Sequence, residues 1–270
     1  MEGFIKSINN ELDLKLEASN CSRIRDNFKD DKTIYIPKIC WEFTFTNMIT
    51  LEWIEGDSLS DIKLIKESRS QEQIKFIARN LILMFFNQAY RDGFFHADLH
   101  PGNIIISKDN VISLVDFGIV CFIPVKDRII LAKLINAFLN RDYKLVAVLH
   151  KEAGYINEYI DINEFSQSLR AIIEPVIGMP IKNISIGMVL EELLNTAERF
   201  GMETQPQLVM LQKTILVIEG SSISLDKDIN IWDIADPWIK SWVAHNMTPE
   251  SQIIKFIKRL FRGSFYMDKE

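Results

Sequence analysis

Three polar residues near the middle of the chain have the types and spacing of a site that binds magnesium and a nucleotide. Asp98 is followed by Asn103 five positions later, and by Asp116 thirteen positions after that. Phosphoryl transfer needs a carboxylate near the acceptor and oxygen ligands that hold Mg²⁺ on the phosphates, because catalysis depends mainly on positioning and charge neutralisation. We therefore expect Asp98 to act at the acceptor, and Asn103 and Asp116 to bind the metal.

The surrounding sequence predicts the elements that must position these residues. Residues 71–91 repeat apolar side chains at helical spacing, and Gly93 stands where a helix C-cap is expected. The runs "NIIIS" and "VISLVDF" are joined by "KDN", which indicates a β-hairpin. Asp98 and Asn103 should then lie on a loop between helix and hairpin, with Asp116 at the end of the hairpin.

The same segment permits other interpretations. Asp-Phe-Gly alone is also a common turn sequence, and it points to a nucleotide site only together with the upstream Asp-x-x-x-x-Asn. His96 and His100 with Asp98 form an H-x-D-x-H pattern that could bind a metal. We favour a simpler role for His96, in which its imidazole bonds to the backbone and braces the loop.

Composition excludes several classes of protein. The chain has 270 residues, 47% of them apolar, enough for one substantial core or two modest lobes. A net charge of -6 argues against a nucleic-acid binder, and three cysteines without a CxxC pair argue against a disulfide framework. The acidic amino terminus is not that of a targeting peptide, so we expect a cytoplasmic protein without nucleic-acid partners.

The pattern "HADLHPGN" followed by "DFG" resembles the protein-kinase pattern H-R-D-x-x-x-x-N then D-F-G, with Ala97 in place of the usual Arg. Segments on both sides resemble the UbiB/ABC1 family of atypical protein-kinase-like proteins, which is linked to ubiquinone biosynthesis. "ELDLKLEASN" at 11–20 is similar to the E-x-D…E-A-x-N helix of that family, and 35–61 is similar to its strand pair and hinge. Residues 197–226 are similar to its helical tail.

The resemblance covers about residues 8–240 and implies an α+β, protein-kinase-like fold with an incomplete N-lobe and a large, mainly helical C-lobe. Residues 1–56 would be the N-lobe remnant, with helix C, two strands and a hinge, and residues 57–270 would form the C-lobe. An apolar stripe over about 2–28 supports the first helix. Later amphipathic patterns predict helices at about 126–150, 163–174, 187–200 and 206–219.

The resemblance also implies roles for individual residues, with ATP and Mg²⁺ as cofactors. Glu17 corresponds to the helix-C glutamate that pairs with a strand-3 lysine, and Glu11 and Asp13 correspond to the E-x-D pair. Without the resemblance, these three acidic residues would fit a solvated helix face equally well. The backbone of the hinge, which would meet adenine, comprises Glu52, Trp53 and Ile54.

Three features of the family are missing from these 270 residues: the K-x-G-Q motif, the Ala-rich phosphate loop and the strand-3 lysine. Glu17 therefore lacks its expected partner, and we expect weak nucleotide binding and very slow chemistry from this chain alone. The sequence looks like the carboxy-terminal part of a UbiB-type protein, from a split or decayed gene. A separate polypeptide that carries the missing N-lobe is the expected partner.

Two other functions stay open. The chain could be a non-catalytic remnant or binding module of the same family. It could also be a small-molecule phosphotransferase of the aminoglycoside or choline kinase type, whose loop reads H-G-D-x-H-x-x-N, although 11–20 and 197–226 have no counterpart there.

The last predicted element is a basic amphipathic helix in "SQIIKFIKRLFRGSF" at 251–265. Its apolar side and its Lys and Arg side are typical of a helix that lies on an anionic membrane surface. A terminal helix packed on the body with a solvated basic face would have the same pattern. We expect peripheral contact with the inner face of a membrane, or with an isoprenoid lipid, as the functional alternative.

Overall fold

Short strands gather in the first half of the chain, and helices make up the second half. The computed structural model describes residues 13–177, 185–202 and 205–247. The strands are β1 (Ile34–Tyr35), β2 (Asp57–Ser58), β3 (Phe94–His96), β4 (Ile104–Ile106), β5 (Ile112–Leu114) and β6 (Val120–Phe122). The helices are α1 (Leu14–Asn27), α2 (Ile62–Ser68), α3 (Gln71–Phe86), α4 (Val125–Leu139), α5 (Tyr143–Glu152), α6 (Ile162–Ile177), α7 (Ile186–Arg199), α8 (Pro206–Leu225) and α9 (Ile231–Met247).

Helix α1 confirms the described part of the helix predicted over 2–28. It begins after Asp13, whose Oδ1 accepts a hydrogen bond from the Lys15 backbone N–H at 3.0 Å, so this carboxylate is an N-cap. The Leu14 N–H donates to the Thr46 carbonyl, which ties the start of the helix to the following segment. Glu11 lies outside the described residues. The buried face of α1 consists of Ala18, Cys21 and Ile24.

The predicted hairpin forms the centre of a four-stranded sheet with the order β1-β5-β4-β2. Strands β4 and β5 are antiparallel with Ile104 opposite Leu114, while β1 joins β5 in parallel and β2 joins β4 in antiparallel fashion. Gly56 lies so close to this hairpin that a Cβ there would be 2.5 Å from the Ile106 carbonyl oxygen. The pairing confirms the predicted hairpin, and its side chains Ile104, Ile106, Ile112 and Leu114 are buried.

The two strands predicted between 35 and 56 form only a narrow pairing. Strand β1 has two residues and ends before Pro37, which has no backbone N–H to donate to a ladder. A 3₁₀ turn at Trp41–Phe43 follows. The two arms then meet through the Cys40 N–H to Thr50 carbonyl bond at 2.8 Å and the antiparallel bridge of Ile39 with Leu51.

A second, two-stranded sheet was not predicted. Helix α3 continues as a π-helix over Asn87–Asp92, and Gly93, at φ 64°, turns the chain into β3. Strand β3 pairs antiparallel with β6, with Phe94 opposite Phe122 and His96 opposite Val120. This sheet joins residues 97–103, which we call the catalytic loop after the kinase pattern that they resemble, to the segment after Asp116. Strands of three residues are too short to show a period in the sequence, so hydrophobic patterning does not predict them.

The helical body is built around α3 and α8, which pack against each other and bury apolar side chains along most of their length. Helices α6, α7 and α8 confirm the predictions at 163–174, 187–200 and 206–219. The single helix predicted over 126–150 is instead two helices, because the chain turns at Arg141, whose φ is 56°. Helix α9 was not predicted. The amphipathic helix predicted at 251–265 lies outside the described residues.

One helix of the described chain, α8, is long and apolar enough to cross a membrane by length and composition alone. Half of its apolar stretch is buried inside the protein, and α8 packs against α3 and α7. Core helices of water-soluble folds meet the same criterion. We therefore describe α8 as the central helix of the body.

A buried carboxylate on α8 caps the start of α7. The Glu219 side chain is nearly inaccessible, and its two oxygens accept the N–H groups of Ile186 at 3.2 Å and Gly187 at 3.3 Å. The Ser185 hydroxyl also donates to this carboxylate. Glu219 thus satisfies donors that the first turn of a helix leaves unpaired.

Replacement of Glu219 should destabilise the body. We expect Glu219→Ala to lower the free energy of unfolding by about 2–3 kcal/mol, because it leaves two buried backbone N–H groups and the half-buried Ser185 hydroxyl without their acceptor. Glu219→Gln keeps one acceptor oxygen and should lose about half as much. Urea unfolding of the three proteins measures the difference. An unchanged midpoint for Glu219→Ala would contradict the capping role.

Stability should also depend on pH through His150, a buried residue of α5. Burial lowers the pKa of this imidazole, so it is neutral in the folded protein. The unfolded chain binds a proton at His150 below about pH 6.5, so the unfolding free energy falls as the pH drops below that value. His150→Phe, which retains an aromatic ring beside Phe165, should lose about 1 kcal/mol less than the wild type between pH 7 and pH 5.5. Urea unfolding at both pH values tests this, and equal losses would contradict it.

Candidate active site

Four hydrogen bonds close a ring through the catalytic loop and the strand that leads to Asp116. His96 Nε2 lies 3.3 Å from the Val115 carbonyl oxygen, and His96 Nδ1 accepts the Asp98 backbone N–H at 3.3 Å. Asn103 Nδ2 then donates to the Asp98 carbonyl at 3.3 Å. The Val115 N–H donates to the Asn103 carbonyl at 3.0 Å. We call this the His96 ring; it joins Asp98, Asn103 and the residue before Asp116 into one unit.

The imidazole of His96 is the centre of this unit. It is 0% exposed, and its burial lowers the pKa, so the neutral form prevails. Since Nδ1 accepts from Asp98, the proton resides on Nε2 and is donated to the Val115 carbonyl. The His96 backbone N–H is bonded to Gln88 Oε1 at 2.9 Å. This is the bracing role that we favoured from the sequence.

The second imidazole of the loop is also used by the backbone. His100 Nδ1 accepts the Gly102 N–H at 2.9 Å and so caps the short 3₁₀ turn Pro101–Asn103. Both Nδ1 atoms of the H-x-D-x-H pattern thus accept backbone amides, with His96 facing the interior and His100 facing solvent. Within the described ranges, no group of three His, Cys, Asp or Glu side chains is arranged to hold a metal.

Asp98 itself presents an exposed side chain on a rigid backbone. The preceding residue, Ala97, is buried; its N–H donates to the Ile119 carbonyl at 3.0 Å, and its carbonyl accepts from Thr214 Oγ1 at 3.4 Å. Thr214 lies on α8, so the helical body holds the loop directly. Sequence reasoning missed Thr214, because nothing in its own segment marks a contact with a residue more than a hundred positions away.

Asn103 and Asp116 offer the oxygen atoms that Mg²⁺ prefers. Asn103 is 6% exposed and uses its Nδ2 in the His96 ring, while its Oδ1 accepts no hydrogen bond from any residue in the described segments. Asp116 is exposed and has φ 62°, an uncommon left-handed conformation for a residue other than glycine. The Asn103 carbonyl is bonded to Val115, the direct neighbour of Asp116. These residues fit a Mg²⁺ site.

Helix α1 contacts the segment after Asp116 through two side chains. Glu17 Oε1 accepts the Phe117 N–H at 3.2 Å, and Asn20 Nδ2 donates to the Phe117 carbonyl at 3.1 Å. Positions 17 and 20 are three residues apart and share one face of the helix. Our predictions included Glu17 but missed Asn20. The "EASN" spacing was the signal that could have identified it.

Negative charge accumulates beside Gly118. A Cβ at this glycine would lie 3.4 Å from Asp116 Oδ1 and 3.9 Å from Glu17 Oε2, so both carboxylates flank the same residue. Burial raises the pKa of Glu17, the nearby Asp116 charge raises it further, and the Phe117 N–H opposes both effects. Among the residues that the structure describes, Glu17 forms no ion pair. The arrangement favours a cation between or beside the two carboxylates.

The predicted hinge residues Glu52, Trp53 and Ile54 have surroundings different from those of Asp98, Asn103 and Asp116. Glu52 accepts hydrogen bonds from the Tyr35 hydroxyl at 2.7 Å and from the Lys38 N–H at 3.1 Å, and the Tyr35 bond is the main cause of its lowered pKa. Trp53 is 86% exposed. Trp53 and Ile54 line a shallow cleft beside the hairpin, which includes none of Asp98, Asn103 and Asp116. Adenine binding by this segment stays a prediction.

Comparisons with known proteins cover most of the chain. Residues 1–150 match the ABC1 atypical kinase-like domain, and residues 169–230 match the UbiB helical domain. A protein named "Probable protein kinase UbiB" from Pseudomonas fluorescens (strain SBW25) is 39% identical over 250 residues, which is 91% of this chain and 46% of the relative. Its namesake from Shewanella denitrificans is 40% identical over 261 residues, which is 95% of this chain and 47% of the relative.

A solved structure supports the kinase-like fold. The complex of Rv3197 with erythromycin, from Mycobacterium tuberculosis, has a TM-score of 0.59 and 21% identity, and the match covers 87% of this chain and 60% of that one. At this identity the likeness concerns the fold alone. The chain spans about half the length of the curated relatives that it matches. On the two domain matches and the identity to these relatives, the chain belongs to the UbiB/ABC1 family of atypical kinase-like proteins.

Proposed function

We propose that this chain provides the metal-binding and acceptor-binding half of a UbiB-type phosphotransfer or ATPase site, which binds Mg-ATP through Asn103 and Asp116. The observation that carries the proposal is the His96 ring. It connects the loop with Asp98 and Asn103 to the strand before Asp116 by direct hydrogen bonds. Phosphoryl transfer depends on such positioning more than on any covalent step by the protein.

Each residue would have a distinct role in this site. Mg²⁺, when bound with ATP, neutralises charge on the phosphates. Asp116 would supply a carboxylate ligand from the exposed end of the hairpin, and Asn103 would supply its Oδ1, which accepts no other hydrogen bond from the described residues. Asp98 would accept a hydrogen bond from the hydroxyl or water that attacks, because its side chain points to solvent from a fixed backbone.

We further propose that these residues alone support only weak binding and slow turnover. The carboxylates of Glu17 and Asp116 both lie close to Gly118, and Glu17 forms no ion pair with any of the described residues. A segment that carries a basic group, either in the same longer protein or in a separate polypeptide, would complete the site. Membership of the UbiB/ABC1 family, which the resemblance in sequence links to ubiquinone biosynthesis, supports a role connected with that process. Peripheral contact with a membrane or an isoprenoid lipid belongs to the same proposal.

The metal assignment predicts the effect of Asp116→Asn. This variant should weaken Mg-ATP binding by about 100-fold or more, because it removes the charged metal ligand, while urea unfolding should change little. Asp109→Asn removes the same charge at the exposed hairpin turn and is the matched control, with wild-type affinity expected. Asp98→Asn should retain binding and lose turnover. Calorimetric titration with Mg-ATP, and phosphate release over hours, measure both effects.

The same titration separates this proposal from the non-catalytic alternative. It is carried out on the chain alone and on the chain mixed with the polypeptide encoded immediately upstream. Binding that appears or strengthens with the upstream product supports a site assembled from two parts. No binding under either condition would overturn the proposal and leave a binding module without nucleotide. Mg-ATP binding that survives Asp116→Asn would show that the metal ligands are assigned wrongly.

A further inference from the structure

We propose that Asn20 on α1 is a positioning residue for the metal ligand Asp116. It would act with Glu17 by holding the backbone of Phe117, so that the seating of α1 determines how well the site binds Mg²⁺. The inference rests on the proposed function, since it concerns the same metal site. It adds a residue, and a mode of control, that the roles of Asp98, Asn103 and Asp116 do not include.

The backbone of Asp116 needs support from both sides. Its φ of 62° lies in a region that residues with a side chain rarely occupy. Within the segment itself, the Gly118 N–H reaches Asp116 Oδ1 only at 3.4 Å, a long hydrogen bond. Local interactions are therefore too weak to explain why the chain adopts this conformation. The support must come from other elements.

Both neighbours of Asp116 are held at both of their backbone groups. On one side, Val115 donates to the Asn103 carbonyl and accepts from His96, as part of the His96 ring. On the other side, Phe117 donates to Glu17 and is bonded through its carbonyl to Asn20. Asp116 is thus placed between two fixed residues. One is held by the catalytic loop and the other by α1.

Asn20 and Glu17 both bond to the Phe117 backbone, but a cation that enters the site would affect the two hydrogen bonds differently. The Glu17 carboxylate lies close to that of Asp116, so a metal ion or a basic group that enters the site also attracts Glu17. Asn20 carries no charge, and its donor bond to the Phe117 carbonyl does not compete for such a cation. The hydrogen bond from Asn20 to Phe117 would therefore remain when a cation occupies the site. Asn20→Asp would replace the donor with a carboxylate oxygen, so that two acceptors would face each other.

The side chain of Phe117 further restrains the Phe117 backbone, to which Glu17 and Asn20 are bonded. It is buried, and its ring lies 5.4 Å from the ring of His96, so a movement of the Phe117 backbone would disturb the core beneath the catalytic loop. Asn20 is itself half-buried and shares its face of α1 with Glu17 and the buried Ile24. Ser19, its neighbour, is exposed.

The test compares nucleotide affinity with and without metal. The variants are Asn20→Ala and Asn20→Asp, with Ser19→Ala as the matched control on the same helix. ATP binding is titrated with saturating Mg²⁺ and with EDTA, on the chain together with its upstream polypeptide if binding requires it. The measured quantity is the ratio of ATP affinity in Mg²⁺ to ATP affinity in EDTA. We expect this ratio to be smaller by about 10-fold or more in both Asn20 variants than in the wild type. Binding in EDTA should be unchanged, and Ser19→Ala should match the wild type.

A double variant separates positioning from a general loss of structure. If Asn20 acts through Asp116, Asn20→Ala combined with Asp116→Asn should bind Mg-ATP no more weakly than Asp116→Asn alone. An equal loss of affinity in Mg²⁺ and in EDTA, with a parallel fall in the urea midpoint, would overturn the inference, because Asn20 would then only stabilise the fold.

The remaining outcomes distinguish this inference from the proposed function. Wild-type metal dependence in both Asn20 variants, while Asp116→Asn abolishes Mg-ATP binding, would overturn the role of Asn20 alone. No ATP binding by the wild type in any condition would overturn the proposed function, and the role of Asn20 with it. A metal response lost in Asn20→Ala but intact in Asn20→Asp would contradict the need for a donor at this position.

Discussion

The arrangement of the candidate site depends on one neutral imidazole. A neutral histidine has a donor and an acceptor on opposite parts of its ring, and His96 uses them for two backbone segments, the Val115 carbonyl and the Asp98 amide. Burial disfavours the charged imidazolium and so keeps the imidazole neutral. The arrangement requires this, because a proton on Nδ1 would remove the acceptor of the Asp98 N–H. The pattern H-x-D…N…D-F-G therefore describes one hydrogen-bonded object, although its members lie on a strand, a turn and a hairpin.

The helical body is also hydrogen-bonded to this unit. Gln88, in the π-helical extension of α3, accepts the His96 N–H, and Thr214 on α8 reaches the carbonyl of Ala97. Thr214 falls within the segment that matches the UbiB helical domain, and His96 within the ABC1 match. The two family domains thus meet at the catalytic loop. This contact gives the helical domain a direct means of holding the loop in place.

Two carboxylates concentrate negative charge at one edge of the candidate site. Glu17 and Asp116 bring two carboxylates to one glycine, and the described part of the chain provides no ion pair for Glu17. Such a cluster is unfavourable until a cation enters, and binding of a metal or of a basic group would relieve the repulsion. The curated relatives are about twice as long as this chain.

The sequence by itself determined the helix over 71–91, the hairpin, the positions of Asp98, Asn103 and Asp116, and the family. These features follow from local periods, turn residues and motif spacing, which are written in consecutive residues. Only the tertiary structure decided the pairing of β3 with β6, the narrow contact where two strands were predicted, and the division of the helix over 126–150. It alone revealed the partners of Asn20 and Thr214, which are 97 and 117 positions away. Contacts over such separations depend on how the whole chain packs, and a single polar residue at the contact has no period that a sequence could show.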